Sequence, residues 1–159
     1  MKAQQQGFTL MELMIAVGLV AILTAMAVPA YVGYGQRSAR ATVEGDLAAA
    51  AAAMERHKSQ NFTYKGAATG TTFPANSPVD AAAGQQKYTL SIIFLNNAGN
   101  VAAATDTITG YEIQAVSTGL FDKSKTEALK INHLGRKCYK KLAVGVTTCV
   151  IGTDDANWP

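Results

Sequence analysis

Charge is scarce in this chain, and over its first 36 residues only Lys2 and Glu12 carry any. Charged residues make up 16% of the 159, and the net charge is +3. So mild a balance excludes a protein recruited to nucleic acid by bulk charge alone. Histidine is equally sparse: His57 and His133 stand 76 positions apart, with no nucleophile placed beside either. No P-loop, G-x-S-x-G, H-E-x-x-H or C-x-x-C pattern occurs, which removes the common phosphate-binding, acyl-transfer, zinc and redox sites. Asp154 and Asp155 are adjacent acids without the ligand spacing of a calcium loop. The chain is therefore expected to be no enzyme and to need neither cofactor nor metal. Cysteine is limited to Cys138 and Cys149, and an even pair in an exported chain predicts one disulfide made outside the cytoplasm.

What the sequence does have lies at its start. A polar opening with one Lys, MKAQQQG, leads into FTLMELMIAVGLVAILTAMAVPAYVGYGQR. From Leu13 to Gln36 there are 24 residues without a charge, enough to span a bilayer as a helix. Lys2 orients it weakly, with the rest of the chain exported. A secretory signal peptide is one reading, since residues 13–23 form an apolar core and Ala25-Met26-Ala27 mimics its cleavage site. A plain membrane anchor is a second, and a polymerisation helix behind a short leader is a third.

Glu12 separates the three. A carboxylate at the mouth of an apolar run costs up to roughly 3 kcal/mol if carried to the bilayer centre, and neither a signal peptide nor an anchor gains by it. Cleavage between Gly7 and Phe8 would create a partner for it, an α-amino group four residues upstream. In apolar surroundings such a pair attracts strongly, while each charge alone is penalised.

Gly7-Phe8-Thr9-Leu10-Met11-Glu12-Leu13 resembles the class III signal of type IV pilins and type II secretion pseudopilins. The resemblance implies a leader of residues 1–7 removed by a prepilin peptidase, N-methylation of Phe8, and an assembly role for Glu12 with Phe8. Pro29 matches the family's helix-kinking proline, Tyr31 and Tyr34 its tyrosines, and Arg37 ends the apolar stretch as the family's pattern expects. It implies storage in the inner membrane, an inner-membrane assembly platform as partner, and polymerisation with itself and other pilins into an extracellular filament for adhesion, twitching motility or DNA uptake.

Residues 8–36 are thus expected to form the hydrophobic helix and 37–159 the globular domain. Val32, Ala39, Val43, Leu47, Ala50 and Met54 recur at about 3.5 residues, an apolar stripe that extends one helix to about Lys58. Pro29, with Gly33 and Gly35 nearby, is expected to bend or loosen it. His57 falls at its end, where a cation suits the dipole. Residues 59–86, rich in Gly, Thr, Asn and Pro, read as a long connection, the αβ-loop of pilins by resemblance.

Alternation then predicts strands within 87–139, with faces Tyr88, Leu90, Ile92, Phe94; Tyr111, Ile113, Ala115; and Leu129, Ile131. A last strand carries Cys138 and Tyr139. The expected fold is α+β, a long helix packed on three or four antiparallel strands. By resemblance, residues 138–149 form the disulfide-bounded D-region. Two other classes remain open beside the pilus subunit. One is a type II secretion pseudopilin. The other is a DNA-binding competence pilin, in which Lys123, Lys125, Lys130, Arg136, Lys137, Lys140 and Lys141 form a basic stripe.

Overall fold

The computed structural model describes residues 8–118, 126–142, 149–151 and 158. One helix dominates it: α1 runs from Leu10 to Asn61, 52 residues, or about 78 Å at 1.5 Å per residue. It begins behind a cap, for Thr9 Oγ1 accepts the Glu12 N–H at 3.2 Å and the Thr9 carbonyl accepts that of Leu13. The helix continues through Pro29, although the ring leaves the carbonyl one turn back without its usual donor. Past the glycines, Arg37 Nε donates to the Gly33 carbonyl at 3.3 Å.

The chain divides into two units at Arg37. In the first, every large apolar side chain from Phe8 to Tyr34 is exposed, and the helix is long and apolar enough to cross a membrane. In the second, the helix face predicted from sequence is buried: Ala39, Val43, Leu47, Ala50 and Met54. Val32 departs from that stripe and is 38% exposed. The periodicity carries it to the same face, but it precedes Ser38, where the second unit starts.

The sheet holds five antiparallel strands in sequential order. They are β1 (Asn76–Ser77), β2 (Tyr88–Leu95), β3 (Gly110–Ser117), β4 (Thr126–Asn132) and β5 (Lys137–Leu142). β1 is the addition to the sequence reading, two residues inside the expected loop that pair with Thr89 and Tyr88. So short a strand carries no alternation to read.

Register places Leu90 opposite Ala115, Ile92 opposite Ile113 and Ala115 opposite Leu129. All the predicted apolar faces therefore point the same way and join the helix stripe in one core. Two glycines shape the sheet's end. Gly135, at φ +73°, makes the β4–β5 turn, a conformation side chains resist. Gly110 leaves room for the His133 ring, since a Cβ there would fall 2.5 Å from it. Cys138 is bonded to Cys149, and both are fully buried.

Candidate assembly segment and the surfaces of the globular unit

Glu12 sits in the first turn of α1, where the aligned peptide dipoles favour an anion. Its carboxylate meets no cation among the described residues, and Phe8 beside it is exposed. The Thr9 cap escaped the sequence reading, although Thr-x-x-Glu before an apolar run is the signal for it. Gly7, the expected cleavage residue, lies outside the described residues.

In the globular unit one carboxylate gathers four donors. Glu127, on β4, accepts Arg40 Nη2 at 2.6 Å and Arg40 Nε at 3.3 Å. It also takes the hydroxyls of Tyr139, at 3.1 Å, and of Tyr88. Arg40 lies over the Tyr139 ring, 4.8 Å from its centre. The cluster ties α1 to β2, β4 and β5. Burial, reinforced by the bond to Glu127, pushes the Tyr88 phenol far above its ordinary range, so it remains a donor throughout neutral pH. Burial also pushes the Glu44 carboxyl up, against the pull of Arg40 and Lys137.

A second cluster closes the far end of the helix. Glu55 Oε1 accepts Tyr64 Oη at 2.9 Å and Tyr111 Oη at 3.2 Å. The two rings meet edge to face with centres 5.0 Å apart. Lys58 Nζ lies above Tyr64, 4.6 Å from the ring centre. His57 Nε2 is 3.3 Å from the Lys65 carbonyl, and the His133 ring stands 6.2 Å from Tyr111. Both histidines are thus structural neighbours of this cluster.

The predicted basic stripe is not laid out as one surface. Lys130 is 5% exposed and paired with Glu112 at 2.8 Å. On β5, Lys137 and Lys141 alternate with Lys140, so the two sets fall on opposite sides of the strand. Lys137 Nζ is held 4.2 Å from the centre of the Trp158 ring. Lys123 and Lys125 lie outside the described residues.

Phe62, by contrast, was given no role from sequence. It follows α1 in the left-handed conformation, φ +58°, with its N–H bonded to the Lys58 carbonyl at 2.7 Å. That is a position for Gly or Asn, and a side chain with a Cβ costs about 1–2 kcal/mol there. Its ring is 91% exposed.

An apolar, exposed helix whose second half packs on a sequential antiparallel sheet, with a disulfide closing the C-terminal region, is the type IV pilin fold. A family model described as type IV minor pilin ComP, DNA uptake sequence receptor, matches residues 29–130, and the prokaryotic N-terminal methylation motif matches residues 2–28. The chain belongs to this family of type IV minor pilins. It is a structural subunit, not an enzyme.

Similarity to individual proteins is concentrated in shorter stretches. The type II secretion system core protein G of Pseudomonas aeruginosa is 38% identical over 63 residues, covering 40% of this chain and 44% of that protein. The type IV major alpha-pilin of Moraxella bovis is 47% identical over 51 residues, 32% of each chain. The type IV major fimbrial protein FimA of Dichelobacter nodosus is 58% identical over 38 residues, 24% of each. The chain spans less than half the length of these curated relatives.

Proposed function

We propose that this chain is a minor subunit of a type IV pilus that serves DNA uptake. It is held in the inner membrane by residues 8–36, cut between Gly7 and Phe8 by a prepilin peptidase, methylated on Phe8, and drawn into the filament by an assembly platform. Its globular unit then carries DNA-binding groups at the filament surface. The observation that carries this reading is the match of a DNA-receptor pilin family across residues 29–130, most of the globular unit. The N-terminal methylation motif supports the processing step.

Deleting the gene is expected to leave pili on the cell and to lower transformation by added DNA at least tenfold, with recovery on complementation. Transformation at the parental level in the deletion strain would refute the uptake role. Loss of all pili would make the chain the major subunit instead. The likeness to a type II secretion core protein favours a second reading, a periplasmic pseudopilus. Failure of protein secretion in the same strain, with transformation intact, would select it.

A further inference from the structure

We infer that the end of α1 is a docking point for double-stranded DNA, with Phe62 as an apolar wedge between base steps and Arg56, Lys58 and Lys65 on the flanking phosphates. This rests on the DNA-uptake reading above and assigns it a place on the molecule. Two costs meet at Phe62: the left-handed backbone, which its Cβ opposes, and a ring left 91% in water. Gly or Asn would close the same helix end without either. An outlier kept against both backbone and solvent preferences calls for a partner outside the fold.

Charge decides what that partner is. From Arg56 to Val79 the chain carries Arg56, Lys58 and Lys65 and no carboxylate at all. The chain folds back on itself here, for the Lys65 N–H donates to Thr63 Oγ1 at 3.1 Å and the Lys65 carbonyl lies against His57. Arg56 and Lys65 are exposed and form no ion pair among the described residues. The nearest acid, Glu55, is occupied by the Tyr64 and Tyr111 hydroxyls. Helix-dipole complementarity accounts for Lys58 in the last turn, but not for Lys65 or the bare ring. Cations close in sequence to an exposed aromatic fit a polyanion with stacked, apolar steps, and insertion of such wedges from the minor groove is a known way to grip a duplex.

The test uses the full mature chain in detergent micelles and a fluorescent duplex of about 20 base pairs, with affinity read by anisotropy across salt concentrations. Phe62→Gly is expected to bind about tenfold more weakly, the scale of one lost aromatic–base contact, with an unchanged salt slope. Its melting temperature should hold or rise, because glycine relieves the backbone. Lys65→Gln should lower the salt slope by about one.

Parental affinity in Phe62→Gly would overturn the wedge while leaving DNA binding elsewhere on the chain. If that variant instead lost filaments at unchanged DNA affinity, Phe62 would be a contact between subunits, and the proposal would fall. If the parental chain did not bind the duplex, the DNA-binding role assigned to this subunit would fall together with the wedge.

Discussion

Replacing Glu12 with Leu is expected to leave the chain in the membrane, cleaved and methylated, and to reduce filaments to a few per cent of the parental yield or less. The substitution makes the helix more apolar, so anchoring improves; a carboxylate near the membrane centre opposes insertion by up to roughly 3 kcal/mol. What is lost is the partner for a neighbour's Phe8 amine. That amine would then be buried in the filament without a counter-charge, and an unpaired buried charge costs far more than the pair gains. The exposed carboxylate among exposed apolar side chains is the observation behind this expectation. Immunoblots of membrane and sheared fractions check it, and ordinary filament yield would contradict the role given to Glu12.

The largest effect within the globular unit should come from Glu127→Ala. Glu127 and Arg40 are 87 residues apart in sequence, and their side chains are 12% and 18% exposed. Removing the carboxylate strands the guanidinium together with the Tyr88 and Tyr139 hydroxyls. Breaking one side of such a pair costs about 3–5 kcal/mol, a drop in melting temperature on the order of 10 °C for a domain of this size. Restoring bulk without charge on both sides, as Arg40→Leu with Glu127→Leu, should recover much of the loss, because desolvation of the ions is removed along with their attraction. A single variant within about 2 °C of the parent would show that water already satisfies these groups.

Those two sites show what was and was not written in the residue order. Local periodicity exposed the helix face from Ala39 to Met54 and the strand faces from Tyr88 to Ile131, because each repeats at the spacing of its own backbone. Gly7, Phe8 and Glu12 were singled out because a lone acid in an apolar run is anomalous without help from the fold. The Arg40–Glu127 tie had no such signal; two ordinary charges became partners only when α1 met β4. Burial of Lys130 has the same origin, and it broke the basic stripe that counting lysines had drawn. The split of Lys137 and Lys141 from Lys140 was legible, since a strand alternates, but it requires knowing where β5 begins. Phe62 was invisible for a different reason: a left-handed residue is a fact about one dihedral angle, and helix ends are read from Gly and Asn.

Polymerisation through a helix that begins at Phe8, with Glu12 in its first turn, requires that subunits be cut after Gly7. Intact-mass and fragment analysis of the chain taken from sheared surface fibres tests it most directly. The expected chain has N-methylated Phe8 as its first residue. A chain starting at Val28, past the acid and most of the apolar run, would contradict it.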